Sequence, residues 1–160
     1  MSEVESLARA LTARGWMLAA AESCTGGLVA ATCTSLAGSS DWFERGFVTY
    51  SNAAKTELLG VPAALIEQHG AVSAEVAQAM AEGALARSKV QIAVAVTGIA
   101  GPGGATPGKP VGMVWLAVAA VGHTTGVQRL QLQGDRASVR AQTVEHALQA
   151  LIATLAGLGR

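Results

Sequence analysis

One stretch decides the fold of this 160-residue chain: Trp16-Met17-Leu18-Ala19-Ala20-Ala21-Glu22-Ser23-Cys24-Thr25-Gly26-Gly27. Its apolar first half predicts a short strand over Trp16–Ala21, and the apolar residues that follow it predict a helix over about Cys24–Leu36. Small polar residues between the two place Ser23 at the helix N-terminus, where backbone N–H groups are unpaired and the helix dipole is positive. Such a position can bind an anion, cap the helix, or stabilise a serine alkoxide and an oxyanion.

The rest of the chain alternates between predicted helices and strands. Before the quoted stretch, a capping box of Ser2 and Glu5 predicts a helix that Gly15 ends. After it, the pattern predicts strands over 43–51, 91–96, 111–121 and 124–132, and helices over 52–59, 62–69, 74–88 and 135–155. This order indicates the α/β class, as a three-layer α/β/α sandwich around a mixed, mostly parallel sheet, with one domain over residues 1–160.

Composition excludes several classes of function. The formal net charge is zero and 14% of residues are charged, so no basic field favours nucleic acid. The longest apolar run, Val111–Val121, is well short of the ~18 residues that span a bilayer. The acidic start lacks a signal-peptide pattern, which predicts a cytoplasmic protein. The two cysteines, Cys24 and Cys33, fall on opposite faces of one predicted helix and are expected to be free thiols.

Ser23 by itself is more often a helix cap than a nucleophile, because a catalytic serine needs a base. The Gly-x-Ser-x-Gly pattern is absent, and no histidine stands in a suitable context. Lys55, one of three lysines, follows Tyr50, the only tyrosine, across a predicted strand-to-helix connection that is short enough for both side chains to converge on one point. A lysine near a helix N-terminus has a lowered pKa and can act as a base. Two alternatives to this catalytic role of Lys55 stay open. Either Lys55 and Tyr50 are an ordinary exposed lysine and a half-buried tyrosine without a catalytic role, or Cys24 is the nucleophile in place of Ser23.

The segment Thr97–Gly104 is rich in glycine and follows a predicted strand, so its amides can approach a phosphate or carboxylate closely. The alternative interpretation is that this segment is a long surface loop that connects two strands and binds nothing. The pattern Gly103-x-x-x-x-Gly108-Lys109 matches the start of a P-loop. However, Pro110 stands where Ser or Thr would hold magnesium, and a strand follows instead of a helix, which excludes a nucleotide triphosphatase.

Five segments together resemble one known family. They are Ala21–Gly27, Gly46–Asn52 with Lys55, Gly70–Ser73, Thr97–Pro102 and Lys109–Gly112. In this order they are similar to the C-terminal domain of the competence/damage-inducible CinA family, over about residues 5 to 155. The N-terminal nucleotide-pyrophosphatase domain of longer members has no room in this chain.

The resemblance implies an amidase, since the stand-alone domain of this bacterial family is a nicotinamide mononucleotide deamidase of pyridine nucleotide salvage. It places the nucleophile on Ser23 and the activating pair on Tyr50 and Lys55, with backbone N–H groups at the start of the second helix holding the oxyanion. No metal or other cofactor is expected. Substrate contacts are expected from Cys24, Thr25, Gly26, Arg45, Asn52, Thr97, Gly98 and Gly101, with Arg45 as a candidate for the phosphate.

The expected partner is a small molecule, nicotinamide mononucleotide, with neither nucleic acid nor membrane involved, and a homo-oligomer is expected. Two alternatives stay open. One is a non-catalytic nucleotide-binding or regulatory module linked to competence or DNA damage, in which Ser23 is only a cap. The other is an amidase for another small amide. The Ser-x-x-Lys signature of penicillin-binding enzymes is absent, which argues against a β-lactam-type activity.

Overall fold

Five strands form one mixed sheet in the order β2-β1-β3-β4-β5 in the computed structural model, which describes residues 1–159. The strands β2, β1 and β3 are parallel, whereas β4 and β5 run antiparallel to their neighbours. The bounds are β1 Leu18–Glu22, β2 Phe43–Val48, β3 Ile92–Gly98, β4 Met113–Ala120 and β5 Gly126–Gln131. The predicted α/β class and mixed sheet are confirmed; the predicted domain end, residue 160, lies outside the described residues.

Six α-helices within residues 1–159 surround the sheet. They are α1 Glu3–Arg14, α2 Leu28–Thr34, α3 Asn52–Leu59, α4 Ala63–His69, α5 Ala74–Ala86 and α6 Arg136–Gly157, with a short 3₁₀ helix over Ser39–Asp41. The capping box of Ser2 and Glu5 begins α1 and Gly15 ends it, as predicted. None of the helices in this part of the chain is long and apolar enough to cross a membrane. A cytoplasmic location stays a prediction.

The start of the second helix was predicted wrongly. Helix α2 begins at Leu28 rather than Cys24, because Gly26 and Gly27 have φ values of 56° and 110°, outside the right-handed helical region. Residues Ser23–Gly27 form a turn between β1 and α2, hereafter called the nucleophile turn after the role that the family resemblance predicts for Ser23. Ser23 therefore precedes the helix by five positions and is not its cap.

The two faces of the sheet bury side chains of different size. Larger residues face α1, α2 and α6, and include Leu18, Val94 and Leu116. Alanines such as Ala19, Ala93 and Ala117 face α5 on the opposite side. Alternate strand residues point to opposite faces of the sheet. The larger side chains therefore fill a thicker core on one face, whereas the small alanines on the other face let α5 approach the sheet closely. Together the two cores complete the three layers.

The topology brings three connections to one edge of the sheet. Strand β1 lies between β2 and β3 and is parallel to both, so the chain leaves all three strands at the same end. The segments that follow β1, β2 and β3 at this end are the nucleophile turn, residues Thr49 to Lys55, and the glycine-rich segment after Gly98. Ligands in open α/β sheets bind outside the carboxyl ends of the strands, which makes this edge the candidate site.

Candidate active site

A cavity of about 290 Å³ lies at the carboxyl ends of β1, β2 and β3. Ser23 and Cys24 lie on one side of it, and the glycine-rich segment lies on another. The chain segments after β2 and before α5 complete the wall, together with the first residue of α6. The lining residues are Ser23, Cys24, Tyr50, Asn52, Lys55, Ala71, Val72, Thr97–Gly101, Gly103, Gly104 and Arg136.

Ser23 and Lys55 meet at the base of this cavity. The Lys55 Nζ lies 3.0 Å from the Ser23 Oγ, although 32 positions separate the two residues in the chain. Their side chains are buried, with Ser23 8% and Lys55 1% exposed. The same Nζ donates hydrogen bonds to the carbonyl oxygens of Thr49 at 3.0 Å and Tyr50 at 3.2 Å. The local fold therefore aims the amine at the serine hydroxyl.

Burial lowers the pKa of Lys55 from its ordinary value of 10.5, although the nearby Cys24 opposes the shift. Among residues 1–159, no carboxylate forms a salt bridge with the amine. A neutral amine has two N–H groups and one lone pair. The carbonyls of Thr49 and Tyr50 match the two N–H groups, which leaves the lone pair for the Ser23 hydroxyl proton. An amine in this position has the geometry that a general base beside a serine requires.

The side chain of Tyr50 does not join this pair. It is 60% exposed, and its hydroxyl accepts a hydrogen bond from Arg136 at 3.1 Å. Only its carbonyl oxygen contacts Lys55. Strand β2 ends at Val48, so Tyr50 lies in the connection to α3, where it lines the cavity and is largely exposed. The prediction that the Tyr50 and Lys55 side chains converge on one point is therefore wrong.

The helix whose start was expected to hold the oxyanion begins at Leu28 instead of Cys24, and a protein carboxylate occupies that start. Glu22 is buried and accepts hydrogen bonds from the amides of Gly27, Val29 and Ala30. It also accepts a fourth bond from the Thr25 hydroxyl at 2.5 Å. These donors are the ones that an oxyanion or a phosphate would need, so neither binds at the start of α2.

Five of the eight predicted substrate-binding residues line the cavity. They are Cys24, Asn52, Thr97, Gly98 and Gly101. Thr97 is buried and its hydroxyl donates to the carbonyl of Ala71, which ties the glycine-rich segment to the opposite wall.

Three predicted substrate contacts lie elsewhere. Thr25 is fully buried against Glu22, and Gly26 lies beside Arg140 behind the turn. Arg45 sits within β2, pairs with Glu44 and contacts the carbonyl of Arg87. Because Arg45 is paired with Ala19 in the sheet register, its position lies four residues before Ser23 along the neighbouring strand. The expectation that it binds a phosphate is corrected accordingly.

Burial keeps both thiols protonated. It raises the pKa of Cys24 to about 11 and that of Cys33 to about 12. This argues against Cys24 as a thiolate nucleophile. No group of three His, Cys, Asp or Glu side chains within residues 1–159 could hold a metal ion.

Two arginines of α6 contribute to the site, and the sequence did not single them out. Arg136 lines the cavity and donates to the carbonyl of Gly101 as well as to the Tyr50 hydroxyl. Arg140, one turn later, donates to the carbonyls of Cys24 and Thr25. An arginine in the first turn of a helix is electrostatically unfavourable. That placement after the Asp135 cap was the available signal.

Residues 2–155 match the CinA C-terminal domain family. A relative from Enterobacter agglomerans, named nicotinamide-nucleotide amidohydrolase PncC, is 52% identical over 140 residues, which cover 88% of this chain and 85% of that protein. The protein of the same name from Escherichia coli K12 is 50% identical over 147 residues, or 92% and 89% of the two chains. A longer relative from Symbiobacterium thermophilum, a putative competence-damage inducible protein, is 53% identical over 90% of this chain and 36% of its own length.

Solved structures agree with the sequence relatives. The competence/damage inducible protein CihA from Agrobacterium tumefaciens superimposes with a TM-score of 0.90 at 47% identity, covering 96% of each chain. The competence damage-inducible protein A from Klebsiella pneumoniae has a TM-score of 0.93 at 43% identity over 96% of this chain and 95% of its own. On the family match, the identities and the shared fold, this chain belongs to the CinA C-terminal domain family.

Proposed function

We propose that this protein hydrolyses the carboxamide of nicotinamide mononucleotide to give nicotinate mononucleotide and ammonia. The relatives named nicotinamide-nucleotide amidohydrolase support the choice of substrate, because about half of their residues are identical over most of both chains. The observation that carries the proposal is the 3.0 Å distance between Lys55 Nζ and Ser23 Oγ in a buried setting. Hydrolysis of an unactivated amide needs a nucleophile with an adjacent base, and these two residues supply both.

In the first half of the reaction, neutral Lys55 removes the hydroxyl proton of Ser23, whose oxygen attacks the carboxamide carbon. The Lys55 ammonium then protonates the leaving nitrogen, and ammonia departs from an acyl-enzyme. In the second half, Lys55 activates water, which attacks the ester and releases the carboxylate product and Ser23. Lys55 acts directly, because the Tyr50 hydroxyl is bonded to Arg136 instead.

The oxyanion is placed at the amide of Cys24. The amides of Gly27, Val29 and Ala30 are bonded to Glu22, which leaves them no free donor. Cys24 lines the cavity, and its amide donates to no oxygen acceptor among residues 1–159. The residue after a serine nucleophile commonly supplies this donor, because its N–H lies close to the attacked carbonyl.

The nucleotide phosphate is placed against Arg136. This guanidinium is exposed at the cavity mouth. The same cavity is lined by Ala100 and Gly101, whose amides have no hydrogen-bond acceptor among residues 1–159. A planar guanidinium can bind two phosphate oxygens at once. Arg45 lies on β2 and is not among the residues that line the cavity, so it does not bind the phosphate in this proposal. We also propose that the protein is cytoplasmic and homo-oligomeric.

The test compares two neighbouring residues. Ser23→Ala should abolish ammonia release from nicotinamide mononucleotide while binding is retained, whereas Cys24→Ala should keep turnover within about tenfold of wild type, because the thiol supplies no proton or electron pair. Ammonia release and calorimetric binding measure the two effects. Wild-type turnover in Ser23→Ala would overturn the mechanism. Binding without turnover by the wild-type protein would favour the regulatory module instead.

A further inference from the structure

Three of the five backbone N–H groups of the nucleophile turn donate hydrogen bonds within the protein. Ser23 N–H donates to the Val96 carbonyl, and Gly26 N–H donates to the Ser23 carbonyl, both at 3.1 Å. Gly27 N–H donates to Glu22. Among residues 1–159, only the Cys24 and Thr25 amides of this turn donate to no oxygen acceptor. The direction of the Cys24 N–H therefore depends on what holds the peptide planes around it.

Arg140 holds two successive carbonyls of this turn. Its Nε donates to the Cys24 oxygen and its Nη2 to the Thr25 oxygen, both at 3.1 Å, across more than 110 positions of sequence. The two bonds come from one rigid planar group, so they fix two peptide planes together. Among residues 1–159, no carboxylate forms a salt bridge with this guanidinium. Its hydrogen bonds and its charge are both directed at the turn.

The hold on these carbonyls reaches the Cys24 amide. In a trans peptide the C=O and N–H point in opposite directions. Fixing the Thr25 carbonyl therefore orients the Gly26 N–H, which in turn bonds the Ser23 carbonyl. The Ser23 carbonyl lies in the same peptide plane as the Cys24 N–H and sets its direction. Each link is a hydrogen bond or a planar peptide group.

The charge of Arg140 also reaches this point. Burial raises the pKa of Cys24, and the Arg140 guanidinium is among the groups that oppose the rise. A positive charge that stabilises an anion on the Cys24 side chain also stabilises an oxyanion formed beside the Cys24 amide.

We propose that Arg140 is a positioning residue, whose guanidinium holds the nucleophile turn so that the Cys24 amide faces the oxyanion. This inference rests on the proposed serine amidase function. Arg140 is not among the residues that line the cavity, whereas Arg136 lines it and is the arginine proposed above to bind the phosphate. The two arginines are one helical turn apart on α6, so each is a matched control for the other.

The experiment compares Arg140→Ala with Arg136→Ala on nicotinamide mononucleotide and on its phosphate-free riboside. For Arg140→Ala, kcat should fall on the order of 10²-fold with both substrates while KM changes less than about threefold, because an oxyanion donor is misplaced. Millimolar methylguanidinium should restore part of that kcat. Arg136→Ala should raise KM much more for the nucleotide than for the riboside, since only the nucleotide carries the phosphate.

Arg140→Lys keeps the charge but cannot bridge two carbonyls, so we expect its kcat to fall almost as far as that of Arg140→Ala. It also carries the test if Arg140→Ala does not fold. The rate at which a fluorophosphonate labels Ser23 should fall in parallel, because the phosphonyl oxygen needs the same donor. Unchanged kcat and labelling in both variants, or a change confined to KM or to thermal stability, would overturn the inference. If wild-type protein is labelled but does not turn over the nucleotide, the proposed substrate fails while labelling still tests Arg140.

Discussion

Two buried ionisable side chains flank Ser23, and they differ in the hydrogen-bond partners that surround them. Glu22, on one side, receives four hydrogen bonds from Thr25, Gly27, Val29 and Ala30. Lys55, on the other side, contacts two carbonyls and the serine hydroxyl, and burial lowers its pKa. The carboxylate is fully satisfied and holds the turn rigid. The amine has no counter-ion among residues 1–159, so it is free to exchange a proton.

This difference separates structure from chemistry at the nucleophile turn. Changing the lysine should remove activity and leave the fold in place. Changing the glutamate should first lower the free energy of unfolding, because the groups that donate hydrogen bonds to Glu22 are left without an acceptor. The predictions below test that separation.

Replacing the base should have the largest effect. For Lys55→Met we expect kcat/KM to fall on the order of 10³-fold, because no other group in the cavity can take the Ser23 proton. Lys89→Met, at an exposed lysine, is the control and should behave as wild type. Ammonia release measures activity, and circular dichroism checks that both variants are folded. Activity in Lys55→Met within tenfold of wild type would exclude Lys55 as the base.

Replacing the carboxylate should act on stability. In Glu22→Gln one oxygen becomes an NH₂ group that faces backbone N–H donors, and we expect the free energy of unfolding to fall by about 3 kcal/mol. Urea denaturation measures the change. Glu145→Gln, at an exposed position of α6, is the matched control and should be nearly neutral. An equal stability of the two variants would show that Glu22 does not organise the turn.

The pH dependence of activity should report Lys55. Because its pKa is lowered, the amine becomes neutral below pH 10.5, and kcat/KM should rise about tenfold per pH unit until that lowered pKa is reached. A rate profile at subsaturating substrate measures the midpoint. A midpoint at or above 10.5 would contradict the role of burial.

The same shift has a signed consequence for stability. Between the lowered pKa and 10.5, the unfolded chain binds a proton at Lys55 that the folded chain does not. The free energy of unfolding therefore rises with pH across that interval and is unaffected by Lys55 above it. This rise should be absent in Lys55→Met, which urea denaturation at several pH values can check.

The smallest effect is expected at the hydroxyl that supports Glu22. Thr25→Val removes one of the four donors without changing the shape of the side chain, and we expect a loss of about 1 kcal/mol in stability. Turnover should stay close to wild type, because Thr25 does not line the cavity. A large fall in kcat with normal stability would instead assign Thr25 to the chemistry.

Much of the fold was predictable because its signals are local. The capping box at Ser2 and the serine cap at Ser73 mark helix starts, and Gly15 and Gly60 mark helix ends. The order of elements then restricts the topology to a sandwich. The site was predictable in part. Ser23 and Lys55 stood out because a serine follows a strand and lysine is scarce.

The remaining features depend on contacts between distant parts of the chain. The sequence pattern treats the start of α2 as an open anion site, since local caps involve residues within a few positions. Packing brings the Glu22 carboxylate there instead. Arg136 meets Tyr50 across 86 positions and draws its hydroxyl away from Lys55. No pattern within a short window contains such a pair.

The sequence by itself determined the order of helices and strands, the serine after β1 and the lysine after β2. These follow from hydrophobic periodicity and from capping residues, which act over a few positions. The tertiary structure alone decided which charged group each backbone donor and acceptor serves. Glu22 holds the amides of α2, Arg140 holds the carbonyls of the nucleophile turn, and Lys55 is left to Ser23. The physical reason is that a buried polar group takes whichever partner packing brings within hydrogen-bonding distance.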